Sequence, residues 1–127
     1  MPLITQFEDL FAWQKARELR REVSKLTRNC AFRQDPDLRS QLRRAALSAM
    51  SNIAEGFERD TGPQFSYFLN IAKSSAAETQ SELYAALDDG LISRMEFERV
   101  RSLAKSVNKL CGGLMAHIRR RKGPLSA

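Results

Sequence analysis

Glu55 is a carboxylate set among small polar residues in the stretch SNIAEGFERD, residues 51–60, and is a candidate for acid–base chemistry. With Asn52 and Gly56 beside it, the stretch reads either as a loop carrying a catalytic acid or as a helix interior with an awkward glycine. Acid–base catalysis needs a partner within reach, and the chain offers few. His117 is the only histidine, and its place beside Ile118 suits a helix C-terminus, where the dipole favours it. One histidine without a clustered carboxylate pair supports neither a Ser-His-Asp triad nor a histidine-based metal centre. Cys30 and Cys111 lie far apart with no CxxC or CxxH around either, so no zinc site or disulfide is expected. Both thiols are expected as small buried apolar side chains. GxGxxG, GxxxxGK[ST] and GxSxG are absent, as are the paired Glu-x-x-His motifs of di-iron bundles. The expectation is a protein that is not an enzyme, with no catalytic residue, metal or cofactor.

The elements that carry these residues are legible from period and punctuation. Breaks fall at Arg33–Asp35 before Pro36, at Asp60–Pro63, and at Asp89–Ser93. Pro36 and Pro63 suit the first helical position, where a missing N–H costs nothing. Ser93 and Glu96 form a capping-box pattern. Between the breaks the apolar residues step by three and four: Ala12, Ala16, Leu19, Val23, Leu26 and Cys30 in the first segment; Leu38, Leu42, Ala45 or Ala46, Ala49, Ile53 and Phe57 in the second. Phe65, Leu69, Ala72, Ala76, Thr79, Leu83 and Ala86 follow in the third, and Phe97, Val100, Ala104, Val107, Cys111, Leu114 and Ile118 in the fourth. No segment alternates with period two. The second seam runs straight through SNIAEG, which predicts helix there, with Gly56 near its C-terminal end.

The fold expected is therefore all-α, an antiparallel up-down-up-down four-helix bundle in a single domain over 1–127. Its helices should span about 8–30, 36–59, 63–89 and 94–121, with a frayed tail at 123–127. Gly112 and Gly113 should be tolerated inside the fourth helix as a close approach. No apolar run is long enough to span a membrane. The N-terminus lacks the pattern of a secretory signal, so the expected address is cytoplasmic.

Charge is distributed unevenly. The net charge is +6, a balance that suits acidic partners such as nucleic acid. Residues 60–92 carry five acidic side chains against one basic; residues 93–127 carry nine basic against two acidic. On the fourth helix Arg94, Arg101, Lys105, Lys109, Arg119 and Arg120 share an arc of about 100°, away from the apolar seam, and Arg121 and Lys122 extend the run. The first helix offers a second strip, with Arg17, Arg21, Lys25 and Arg28 opposite its seam. Such strips can follow phosphates largely without regard to sequence, or can be ordinary solvated faces. Aromatic residues to stack unpaired bases are not evident: Tyr67 and Tyr84 belong to the acidic third helix, and Trp13 to the start of the first.

The polar side of the second helix differs from a solvent face. Arg44, Ser48, Ser51 and Glu55 share one sector, with Asn52 and Arg59 beside it. Serines and asparagine let another backbone approach, which suggests a subunit interface along this helix. The plainer reading is a solvated Glu55–Arg59 pair at i,i+4.

Three stretches carry a family resemblance: FEDLFAWQKARELRREVSKLT (7–27), SQLRRAALSAMSNIAEGFERD (40–60) and FSYFLNIAKSSAAETQSELYAAL (65–87). Together they resemble the bacterial four-helix-bundle proteins first described as products of 23S rRNA intervening sequences, over about residues 7–120. The most specific part is QLRRAAxSxxxNIAEG, Gln41 to Gly56, followed by Phe57 and Arg59. That bundle is similar to the accessory variability determinant of diversity-generating retroelements, a basic homopentamer that binds nucleic acid and a reverse transcriptase. The resemblance implies a homo-oligomer, a pentamer, without catalytic residues, in which Arg43, Arg44, Asn52 and Glu55 are structural or interface positions. It carries over no binding site for the basic residues of the fourth helix. Ala49-Met50 departs from the Ile-Pro or Val-Pro of relatives, so the second helix should run straighter here.

These readings converge on a non-enzymatic, homo-oligomeric bundle that binds RNA or DNA through phosphates. The expected contacts are Arg94, Arg101, Lys105, Lys109, Arg119, Arg120, Arg121 and Lys122, with Arg17 and Arg21. Arg43, Arg44, Ser48, Asn52, Glu55 and Arg59 are expected to serve assembly or structure. The competing reading is a protein adaptor without nucleic acid, its partner a reverse transcriptase or another protein.

Overall fold

The computed structural model describes residues 3–121. Four helices carry the chain: α1 Phe11–Leu26, α2 Pro36–Phe57, α3 Gly62–Asp88 and α4 Arg94–Arg120. Short 3-10 turns occupy Phe7–Asp9 and Cys30–Gln34, and no strand occurs among the described residues. Each helix packs on the one before it, and α4 closes against α1. Adjacent helices run in opposite directions. Gly56, late in α2, meets Phe65 early in α3, whereas the earlier Ser48 meets the later Ser75. Tyr84 reaches Phe97 across the α3–α4 turn, and Lys73 pairs with Asn108 farther along. The fold is the all-α four-helix bundle that the seams predict.

The seams fill the core. Leu19, Leu42, Ile53, Leu69, Leu83, Phe97, Val100 and Val107 are fully buried, each contributing about 1.5–3 kcal/mol of apolar transfer. The helix starts follow their punctuation. Asp35 accepts the Leu38 N–H at 3.0 Å, and Ser93 and Glu96 satisfy each other's backbone donors at 3.1 and 2.8 Å. Thr61 caps α3, so Gly62 takes the first helical place and Pro63 the second, one later than expected. At the end of α3, Gly90 sits at φ +70°. The Leu91 N–H returns to Ala86 O at 2.9 Å and the Gly90 N–H to Leu87 O at 3.1 Å, the Schellman arrangement that a residue in left-handed backbone closes.

The expected first helix, 8–30, is too long at both ends. Leu10 enters with extended backbone, φ −74° and ψ 127°, after the 3-10 turn. At the other end Thr27 turns its hydroxyl back onto Val23 O at 2.7 Å, a local bond that competes with helix continuation. Asn29 then accepts the Ala31 N–H at 3.0 Å and starts the second 3-10 turn. This turn delivers Phe32 fully buried into the core and leaves Cys30 exposed. The expectation of a buried Cys30 is therefore corrected; Cys111 alone of the two is buried.

The carbonyls left over at the end of α1 are met by α2. Arg39 Nε donates to Thr27 O at 3.0 Å; Arg43 donates to Thr27 Oγ1 at 2.8 Å and to Ser24 O at 3.3 Å. Cations placed at a helix C-terminus also meet the negative end of its dipole. Burial foremost, then the neighbouring Arg39, Arg28 and Arg20, lower the Arg43 pKa from its ordinary value. Truncation of Arg43 to alanine strands buried acceptors and should cost about 1–3 kcal/mol. Arg44→Ala, on an exposed side chain of the same turn, should change stability by less than about 0.5 kcal/mol. Urea unfolding of the two variants checks the contrast.

Helix α4 runs unbroken through Gly112 and Gly113, as expected, but not because of a close approach. A Cβ on Gly112 would meet only the Lys73 side chain at 3.8 Å, and one on Gly113 would meet nothing within 4 Å. The close approach belongs to Gly56 instead. A Cβ there would lie 2.8 Å from Phe68 Cβ, 3.0 Å from Phe65 Cδ1 and 3.2 Å from Phe65 O. α2 continues through Ala49-Met50 as one helix.

Candidate nucleic-acid interface

The basic strip of α4 divides into parts. Arg101, Lys105 and Lys109 line one groove of about 480 Å³, with Glu98, Ser102 and Ser106. These cations recur every four residues, so they rise in steps of about 6 Å on one side of the helix. Lys105 and Lys109 are exposed, and Arg101 is half-buried. The Arg101 guanidinium lies over the Tyr84 ring, 5.5 Å from its centroid, and its buried Nε has no hydrogen-bond partner among the described residues. Arg94, at the start of α4, is partly neutralised by Glu98 at 3.4 Å and lies 5.7 Å from the Phe97 ring centroid.

Arg119 and Arg120 are exposed but stand about 15 Å farther along the helix from Lys109. Gly112 and Ala116 occupy the intervening sector, so the strip is interrupted there by small residues. Arg121 follows the helix, half-buried, its N–H bonded to His117 O at 3.0 Å. Lys122 and the expected frayed tail lie outside the described residues.

Arg17 and Arg21 are exposed on α1, with Arg17 5.7 Å from the Trp13 ring centroid. Between the strips runs the α1–α4 edge, where Arg99 of α4 pairs with Glu22 of α1. Partial burial works to raise the Glu22 pKa, but Arg99 and Lys25 outweigh it and hold the carboxyl below its ordinary value. Farther along the same edge an apolar groove of about 580 Å³ is lined by Ile4, Leu10, Phe11, Ala12, Leu110 and Leu114, with Asp9, Lys109, Gly113 and His117 completing its wall. Phe11 is 63% exposed there.

The polar residues of α2 make bonds within the chain. Ser48 Oγ and Ser75 Oγ are 2.9 Å apart across the α2–α3 interface. Asn52 Nδ2 donates to Ser48 O at 2.9 Å and Ser48 Oγ at 3.0 Å. Glu55 accepts from Arg59 at 2.6 Å, with both side chains more than 40% exposed, and Arg59 lies 4.7 Å from the Phe68 ring centroid. Within one chain the Glu55–Arg59 pair matches the solvated i,i+4 reading. Among the described residues no group of three His, Cys, Asp or Glu is placed to hold a metal ion, and no helix is long and apolar enough to cross a membrane. Burial pushes the Cys111 thiol up to about 12, leaving it protonated and a poor nucleophile.

The acidic edge of α3 holds an unusual carboxyl. Burial foremost, then the neighbouring Glu78 carboxylate, push Glu82 up to about 7. A raised carboxyl pKa means that the folded state holds its proton more tightly than the unfolded chain. Stability is then fully present below the unfolded value near 4.5 and falls as pH rises toward 7. Glu82→Gln should flatten this decline and raise the melting temperature by a few degrees at pH 8, as checked by thermal melts between pH 5 and 8.

Periodicity alone missed three residues of these edges. Arg39, Arg99 and Tyr84 flank seam positions, and their partners come from the neighbouring helix. The only signal was adjacency to Leu38, Val100 and Leu83, which places each at the border between core and solvent.

The sequence profile of the family described as 23S rRNA-intervening sequence protein matches residues 8–113. The match contains the Arg101–Lys109 groove and leaves out Arg119 to Lys122. Among solved structures the chain is similar to a protein of unknown function from the S23 ribosomal protein family, from Bacteroides thetaiotaomicron VPI-5482. The TM-score is 0.77 at 23% identity, covering 82% of this chain and 97% of the other. No curated protein matches the chain.

Proposed function

Because the chain belongs to the 23S rRNA-intervening sequence protein family, we propose that it is a non-enzymatic, homo-oligomeric bundle that binds RNA or DNA through phosphates. The observation that carries the reading is the α4 groove, where Arg101, Lys105 and Lys109 are set in one row beside two serine hydroxyls. Guanidinium and ammonium groups in such a row displace counterions from a nucleic-acid backbone and read its charge, not its sequence. Copies arranged in a ring, as in a pentamer, repeat the row and raise the effective concentration of each contact without adding a new kind.

Fluorescence anisotropy with labelled RNA and DNA tests the binding. Binding at about 50 mM salt that weakens log-linearly as salt rises supports the reading; no binding to any nucleic acid overturns it. Light scattering at micromolar concentration tests assembly, and a monomeric mass removes the homo-oligomer. The second reading, an adaptor docking a reverse transcriptase or another protein, draws on the apolar groove around the exposed Phe11. It predicts partner binding that persists at high salt, because apolar burial is not screened.

A further inference from the structure

Tyr84 belongs to the acidic helix by sequence, but the α3–α4 packing carries its ring to the basic one. It meets Phe97 edge-on with centroids 4.7 Å apart and lies beneath the Arg101 guanidinium at 5.5 Å. The residue remains 45% exposed. An exposed aromatic ring on a solvated helix face, flanked by acids, would have no evident ligand. Here it stands at the head of a row of three cations, next to a guanidinium whose Nε lacks a hydrogen-bond partner among the described residues.

We propose that Tyr84 is a stacking platform for an unpaired base, and that the groove therefore prefers single-stranded nucleic acid to duplex. This rests on the nucleic-acid reading of the α4 groove and names its substrate class. A base unstacked from its neighbours packs on the free part of the ring. Its phosphate meets Arg101, and the phosphates that follow run along Lys105 and Lys109. The cations rise in steps of about 6 Å, similar to the separation of successive phosphates along an extended single strand. In a duplex the bases are already stacked and paired, so the ring has nothing to receive and only the charge row contributes. Stacking accepts any base, because every base has a π-face. Arg101 serves twice, as an anion contact and as the cation that fixes the ring.

The test compares a labelled 20-nucleotide single strand of mixed sequence with the duplex of the same length, by anisotropy at fixed salt. The proteins are the intact chain, Tyr84→Leu and Tyr84→Phe. The expected result is tighter binding of the single strand and a loss of about tenfold in Tyr84→Leu for the single strand alone. Duplex affinity should be unchanged, and Tyr84→Phe, which keeps the ring, should bind as the intact chain does. Thermal melts identify any Tyr84→Leu defect in folding, and a folding defect would lower both affinities together, whereas loss of stacking lowers one. If single strand and duplex bind equally, or if neither variant alters the ratio, the stacking proposal fails while phosphate binding stands. If the intact chain binds neither nucleic acid, both fall.

Discussion

Replacing Gly56 with alanine is expected to lower the stability of the bundle, although alanine is the better helix former by about 1 kcal/mol. The new methyl would stand 2.8 Å from Phe68 Cβ and 3.2 Å from the Phe65 carbonyl oxygen. Neither neighbour is the flexible end of a long side chain, so α2 and α3 would have to separate. Phe65 is buried and packs edge-on with Phe57 at 5.9 Å, which makes the displacement spread into the core. Overpacking of this kind costs up to about 3 kcal/mol, and with a backbone oxygen and a Cβ as the clashing atoms the cost falls toward that upper end and outweighs the propensity gain. The melting temperature should fall by about 4–8 °C. Gly113→Ala provides the opposite sign in the same experiment. Its methyl would enter open space on α4, so only the helix preference acts, and stability should rise by about 0.5–1 kcal/mol. If Gly56→Ala stabilises the protein as Gly113→Ala does, the close packing of α2 on α3 is wrong.

Replacing Arg101, Lys105 and Lys109 together with glutamine is expected to weaken nucleic-acid binding most at low salt and to flatten its salt dependence. Three lost phosphate contacts per engaged protomer remove about 2 from the slope of log K against log salt for a single strand, or about 2.7 for a duplex. Two of the three side chains are exposed and Arg101 is half-buried beside Tyr84, so the bundle itself should remain folded. Arg119→Gln with Arg120→Gln is the informative comparison, because those residues stand about 15 Å away from the groove along α4. If the distant pair accounts for the slope and the groove residues leave it unchanged, the binding surface lies at the end of α4. The Arg94 position is expected to matter less than its charge suggests, since Glu98 lies 3.4 Å from it.

The helices were legible because burial forces a period. A residue such as Leu42 or Val100 must return to the same side every three or four positions, and that repetition is written in the chain itself. Capping is local too, which is why Asp35 and Ser93 mark their helix starts without reference to any other element. SNIAEG could be placed in a helix for the same reason, and Glu55 was left with no histidine beside it in sequence.

What sequence could not resolve is everything that depends on which helix stands next to which. The end of α1 at Leu26 follows from Thr27 and from two arginines of α2 that meet its carbonyls; period alone carried the helix on to Cys30. Gly56 and Gly113 look alike in the chain, yet one faces α3 at contact distance and the other faces solvent. Tyr84 reads as part of an acidic segment, and only the antiparallel packing of α3 on α4 sets it against Arg101. By itself the sequence determined the helices, their buried faces and the excess of positive charge on the last one. The tertiary structure decided where the charge row is continuous and which glycine is indispensable. It also decided which aromatic ring joins the cations, because side-chain neighbours across a helix pair are set by packing geometry and not by position along one chain.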